Sequence, residues 1–340
     1  MREVPVEEAV GLILGHDVTR IIPGREKSRA FKKGHVIQRE DIARLLDLGK
    51  KHIYVWETVP GMVHEDEASL RLARLSAGPG VVWDGPNQGK VSLSAAHDGL
   101  LKVRADVLGQ VNALEGVALS TLHNNRPVAK GKVVAGTRVI PLMIGEEILA
   151  AAERLCDGEP LLQVKPLESL WVGLVTTGSE VYEGRIKDGF CSVVRQKVTP
   201  LGGRLLGRVI VPDDARVIAA EIRRLVGEGA QLVLVTGGMS VDPDDVTPAG
   251  IRGTGAEVVF YGTPILPGSM FMLGYLGRVP VCGLPGCVMF NRTTVFDLLL
   301  PRIFAGERLT RAEIVALGHG GLCEECEVCR FPACAFGKGV

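Results

Sequence analysis

Aromatic residues are scarce. Phe, Trp and Tyr together make up 5% of the 340 residues, so any core must be built mostly from aliphatic side chains. Excess charge is also missing. The 39 Lys and Arg balance 39 Asp and Glu, which removes the electrostatic footprint of a nucleic-acid or anionic-membrane binder. No run of about 18 apolar residues occurs, so no segment reads as a spanning helix. The opening MREVPVEEAV is acidic and is not followed by the apolar stretch of a signal peptide. The expectation is a cytoplasmic protein that engages neither nucleic acid nor membrane.

What is present is length, aliphatic content and glycine. The length suits two or three domains, and 46% hydrophobic residues suffice for their cores. Residues 1–60 read as a small mixed α+β unit. VEEAVGLIL puts Ala9, Val10, Ile13 and Leu14 at helical spacing, and HDVTRIIPG reads as a strand ended by Pro-Gly. The basic REKSRAFKKGH reads as a solvated loop. REDIARLLDLG reads as a helix with Asp41 near its start and Gly49 as C-cap, and HIYVWE as a closing strand. Residues 61–165 read as β-rich with helices. HEDEASLRLARLSAG and EEILAAAERL are the helices, LLKVRAD, GVALSTL and GTRVIPLMI the strands, and HNNRP a polar turn.

The texture changes at residues 170–310. WVGLVTTG, RLLGRVIVPDD, AQLVLVTGG and RVPVCGLPG read as strands. SVVRQKVTPLGG, ARVIAAEIRRLVGEG, TPAGIRGTG and VMFNRTTVFDLLLPRIF read as the helices between and after them, the third with Thr247 as N-cap and Pro248 in its first turn. This alternation predicts an α/β fold with a doubly wound, mostly parallel sheet. Ligands of such sheets bind beyond the carboxyl ends of the strands. Three glycine loops, TTGSE, TGGMS and GLPGC, fall there.

A glycine loop exposes backbone N–H groups that favour an anion. Yet VDPDD places Asp242, Asp244 and Asp245 directly after TGGMS, and Asp213 and Asp214 follow another strand. One carboxylate before a helix is ordinarily a cap. Five exceed that need, and Mg²⁺ between carboxylate and phosphate would remove the repulsion. The pattern predicts a pyrophosphate or nucleotide-like ligand held with Mg²⁺.

The ordered series TTGSEVYEGRIKD, VPDD, TGGMSVDPDDVTP, LPG and GLPG resembles the molybdopterin-binding domain shared by molybdopterin adenylyltransferases and molybdopterin molybdotransferases. The resemblance implies a doubly wound domain that binds molybdopterin or its adenylylated form. It implies that Thr177, Gly178, Glu180 and Asp188 belong to the first loop and its turn, Gly237, Gly238 and Ser240 to the main loop, and Pro285 and Gly286 to the last. It implies catalytic or metal-binding roles for Asp213 and Asp245. Ser269 stands where the family often has lysine, and Cys287 where it usually has asparagine. The first 56 residues also resemble the start of the molybdotransferase family.

Half of the cysteines crowd one end. Cys323, Cys326, Cys329 and Cys334 form C-x2-C-x2-C-x4-C within residues 318–340, whereas Cys156, Cys191, Cys282 and Cys287 are scattered. The spacing predicts metal ligation, by a [4Fe–4S] cluster or by Zn²⁺. His319 reads as a loop residue, and His35, His64, His97 and His123 as structural or surface groups. Two functions fit. One is a transferase of molybdenum-cofactor biosynthesis, moving a nucleotidyl group or the metal with Mg²⁺. The other is a non-catalytic cofactor carrier, sensor or insertion factor, with the cysteines as a redox or docking element. An electron-transfer protein is a third reading. The expected partners are the pterin, a molybdoenzyme or another assembly protein, and further copies of the chain.

Overall fold

The computed structural model describes residues 1–57 and 59–339. Thr58 and Val340, which fall within the expected first and last segments, lie outside the described residues. The chain forms two compact units. One holds Met1–His97, Lys102–Leu122 and Ala129–Val164; the other holds Asp98–Leu101, His123–Val128 and the chain from Lys165 onward. Among the described residues no helix is long and apolar enough to cross a membrane.

In the first unit, strand Arg2–Pro5 pairs with His52–Val55, and Val18–Ile22 forms a hairpin with Glu26–Phe31. A four-stranded antiparallel sheet orders Val81–Asn87, Lys90–Ala95, Val133–Val139 and Val117–Thr121. Helix Glu65–Ser76 packs on this sheet and buries Leu72 and Ala73. Three expectations fail here. VEEAVGLIL makes only the 3-10 turn Val6–Glu8, because Gly11 turns left-handed at φ 85° and ends any helix. The supposed basic loop is largely the strand Glu26–Phe31; its first four side chains are exposed, so no buried face marks it in the sequence. LLKVRAD is a strand only as far as Val103, and its last two residues open a helix, Ala105–Asn112, that buries Val107 and Val111 at i and i+4. In the other unit, HNNRP turns only at Asn124 and Asn125, since Arg126–Val128 is a strand.

The second unit contains a six-stranded sheet. Its strands are β1 (Trp171–Thr177), β2 (Arg204–Val211), β3 (Leu232–Thr236), β4 (Glu257–Tyr261), β5 (Met272–Leu276) and β6 (Val279–Leu284), in the order β2-β1-β3-β6-β5-β4. The first four in that order run parallel, and β5 and β4 add an antiparallel edge. Besides the single turn Ser179–Tyr182, the helices are α1 (Phe190–Val198), α2 (Ala215–Gly227), α3 (Thr247–Gly253), α4 (Val295–Phe304) and α5 (Arg311–Ala316).

Each central strand is apolar on both faces because each face meets helices. Val172, Leu174, Leu232 and Leu234 enter one core with Val194 and Val198 of α1 and Phe296 and Leu299 of α4. Their neighbours Val175, Val233 and Val235 enter the opposite core with Ile218, Ile222 and Leu225 of α2 and Ile251 of α3. This is the doubly wound signature of a buried parallel sheet. The α/β expectation is met, but the alternation reading omits the β4–β5 edge. VMFNRTTVFDLLLPRIF is not one helix: α4 starts only at Val295, where Thr294 and Asp297 form a capping box. Nor does Thr247 cap α3. It is the first helical residue, Val246 takes the cap position, and the Thr247 hydroxyl turns elsewhere.

The cysteine-rich tail belongs to this unit. Phe336 is only 4% exposed in the α1–α4 core, and Cys323, Phe331 and Cys334 pack against the same core.

Candidate functional site

The parallel strands β1 and β3 lie side by side, so the loops after them meet. Thr177 at the end of β1 is buried, and its Oγ1 lies 3.1 Å from Thr247 Oγ1. Gly237 and Gly238 follow β3 with φ 89° and 54°. A Cβ on Gly237 would sit 2.3 Å from the Thr177 carbonyl oxygen, and one on Gly238 would sit 2.9 Å from Thr247 Oγ1. Both positions therefore require glycine, for space as well as for backbone conformation. Among the described residues, the N–H groups of Gly238, Met239 and Gly286 have no protein acceptor.

Asp245 closes this loop by accepting a 2.7 Å hydrogen bond from Ser240 N–H on Oδ2. The Tyr261 hydroxyl donates to the Met239 and Ser240 carbonyls at 3.0 and 3.3 Å. Burial and the Asp245 charge push the Tyr261 pKa up, which keeps the phenol a donor. Asp242 and Asp244 are exposed and serve the turn: Asp244 N–H donates to Asp242 Oδ1 at 3.1 Å.

These groups open on one cavity of about 670 Å³, lined by Gly237, Gly238, Ser240, Asp245, Pro285 and Gly286. The loop Leu266–Met270 forms another wall, and Cys287, Asn291, Leu322, Cys323 and Glu325 complete it. The tail reaches this wall by strand-like pairing: Leu266 N–H donates to the Gly321 carbonyl and Cys323 N–H to the Leu266 carbonyl, both at 2.8 Å. Asp245 and Glu325 are the only charged residues among those lining the cavity; no Lys, Arg or His is among them. Burial raises the pKa of the Cys287 thiol, which its own N–H and that of Val288 partly offset.

The remaining expected site residues do not line this cavity. Thr177 backs the glycine loop. Gly178 is buried at φ 133°, and Glu180 is exposed. Asp213 accepts from the Ser179 N–H and hydroxyl at 2.8 and 3.1 Å, fixing the first loop from behind. Asp214 caps α2 through the N–H groups of Arg216 and Val217. Asp188 has a fully buried side chain, paired with Arg208 at 3.0 Å and accepting from Phe190 N–H at 2.8 Å. The tail's share of the cavity has no signal in the sequence, because it depends on the Leu266–Leu322 bridge.

Cys323, Cys326, Cys329 and Cys334 line a second cavity of about 380 Å³. All four are unpaired thiols. Among the described residues, no three His, Cys, Asp or Glu side chains are gathered closely enough to hold a metal ion. Thr293 Oγ1 lies 3.3 Å from Cys329 Sγ, and this contact with the Phe331 N–H lowers the Cys329 pKa.

Residues 173–305, which contain the sheet, the glycine loops and Asp245, match the family model of a probable molybdopterin binding domain. This stretch belongs to the molybdopterin-binding domain family. Residues 3–57 match a model described only as a domain of unknown function. The chain is 26% identical over 241 residues to a molybdopterin molybdenumtransferase of Synechococcus elongatus, covering 65% of this chain and 57% of that one. It is 35% identical over 88 residues to a CinA-like protein of Citrifermentans bemidjiense, covering 26% of this chain and 21% of the relative. The chain thus spans a minor to middling share of these curated relatives. Among solved structures, the molybdopterin biosynthesis enzyme MoaB of Thermus thermophilus aligns over 41% of this chain and 98% of its own, at 21% identity and TM-score 0.33.

Proposed function

We propose that the glycine-loop cavity of the molybdopterin-binding domain takes up molybdopterin or its adenylylated form, and that the protein acts in molybdenum-cofactor assembly. The observation that carries this reading is the convergence of the Gly237–Gly238 loop, the Pro285–Gly286 loop and Asp245 on one cavity. The convergence lies at the carboxyl ends of parallel strands, where the fold class binds its ligands. Unpaired N–H groups of Gly238, Met239 and Gly286 are donors for the phosphate.

The phosphate needs a countercharge that no lining side chain supplies. The donor set fits Mg²⁺: Ser240 N–H occupies Asp245 Oδ2, and Oδ1 remains as a hard oxygen ligand. When bound, Mg²⁺ neutralises the phosphate against Asp245. The Ser240 N–H then orients the carboxylate, and Asp213 acts at one remove by holding Ser179. For transfer chemistry, Asp245 is the residue that meets the reacting group.

A specific feature also favours the carrier reading. Ser269 and Cys287 line the cavity at the positions where the resembling family has lysine and asparagine. Nucleotidyl transfer draws on fixed positive charge, and the lining has none. Anaerobic titration of molybdopterin by its fluorescence, with and without Mg²⁺, tests binding. ATP-dependent product formation separates enzyme from carrier. Binding by Asp245→Asn with undiminished Mg²⁺ dependence would refute the role given to Asp245.

A further inference from the structure

The tail makes an unusual stretch of chain. Both of its ends are fixed to the molybdopterin-binding domain. At one end Cys323 N–H donates to the Leu266 carbonyl, and at the other Phe336 is buried in the core and Gly337 N–H donates to the Gly320 carbonyl at 2.9 Å. Between them, Glu324–Cys329 contains neither helix nor strand and makes no backbone–backbone hydrogen bond among the described residues. A segment with so little internal bonding has little to set against its conformational entropy. Metal binding can supply the missing order to such a segment.

All four tail cysteines line one cavity, with aromatic walls from Phe331 and Phe336. Four thiolates around a centre of charge +2 leave a net −2. Arg292 and Arg330 line the same cavity and are balanced there by Glu324 and Glu325, so the other lining side chains bring no net charge. Thr293 stands against Cys329 Sγ at 3.3 Å, as a hydroxyl positioned to bond a ligating sulfur.

We propose that Cys323, Cys326, Cys329 and Cys334 form a four-thiolate metal site, taking one Zn²⁺ ion or one [4Fe–4S] cluster, and that binding folds Glu324–Cys329 onto the cavity. Both centres are satisfied by four thiolates. Cys326 is the exposed member of the set. The site abuts the glycine-loop cavity, because Asn291, Leu322, Cys323 and Glu325 line both. Metal in the tail therefore fixes one wall of the neighbouring cavity. That consequence rests on the proposed pterin site; the metal site does not.

The experiment is anaerobic purification of the full chain from cells supplied with iron and zinc, followed by metal and acid-labile sulfide analysis. The expected result is roughly one Zn²⁺ per chain, or about four iron and four sulfide with a visible charge-transfer band. Those two outcomes distinguish the ions and both support the site. Cys326→Ser lowers the metal content at least about tenfold, while Cys191→Ser, outside the cavity, keeps it. Circular dichroism of both variants checks that they are folded, which separates loss of metal in Cys326→Ser from loss of fold. Metal far below one equivalent after zinc addition and after anaerobic iron–sulfide reconstitution, with the four tail thiols still titratable, overturns the proposal. No pterin enters this measurement, so it fails or succeeds separately from the functional reading.

Discussion

The glycine loop and the cysteine tail border the same cavity, but they are held in opposite ways. The loop is bonded by its own protein at successive positions: Thr247 N–H to the Gly238 carbonyl, Tyr261 to Met239 and Ser240, and Ser240 N–H to Asp245. The tail is held at its ends, and its stretch Glu324–Cys329 makes no backbone–backbone hydrogen bond among the described residues. A preorganised loop is complete before ligand arrives, so its N–H groups cost little to align. The tail is a segment whose order is completed by what it binds. Substitutions should therefore damage the loop and the tail's anchor in the folded protein, and damage the tail's middle only through metal content.

The largest effect belongs to the anchor. Phe336→Ala removes a core aromatic and should cost about 3–5 kcal/mol, read from the denaturant midpoint. A loss below about 1 kcal/mol would mean the tail contributes nothing to the core, and the comparison would break. Next is Gly237→Ala, which forces a Cβ to 2.3 Å from the Thr177 carbonyl in a left-handed backbone. The expected cost is about 2–3 kcal/mol, with ligand affinity falling more than the stability loss explains. Asp245→Asn comes third. Its amide oxygen keeps the Ser240 contact, so stability shifts by less than about 1 kcal/mol, while Mg²⁺-dependent ligand affinity drops about tenfold.

The contrast also explains what was legible in the sequence. Parallel strands buried on both faces are continuous aliphatic runs, so Trp171–Thr177 and Leu232–Thr236 announce themselves, as do the glycines that end them. The hairpin strand Glu26–Phe31 is polar and mostly exposed, and the helix Ala105–Asn112 is short and holds Gly109. Local pattern is weak in both. Within the site, Asp245 and the loop glycines sit close in sequence, so one local pattern holds them all. Asp188 and Asp213 carry the same local signal, but pairing with Arg208 and Ser179 turns them away from the cavity. Cys323 and Glu325 enter only by a bridge to Leu266, more than fifty residues earlier, which no local pattern records.

The smallest effect is on thiol chemistry, and it sharpens the comparison most directly. Thiol reagents attack the thiolate, and burial disfavours that form. Cys282 is fully buried with its pKa pushed far up, and burial also raises that of Cys156. Ionisation of either needs a pH above the ordinary thiol value of about 8.5, so both should resist labelling at neutral pH until the protein unfolds. In metal-free protein the other six cysteines are at least partly exposed and should label. Metal loading should withdraw the four tail thiols from that set and leave Cys191 and Cys287. Mass mapping of the labelled sites reads both states. If loading protects Cys287 as well, the two cavities close together, and the tail acts on the glycine loop as a wall that metal sets in place.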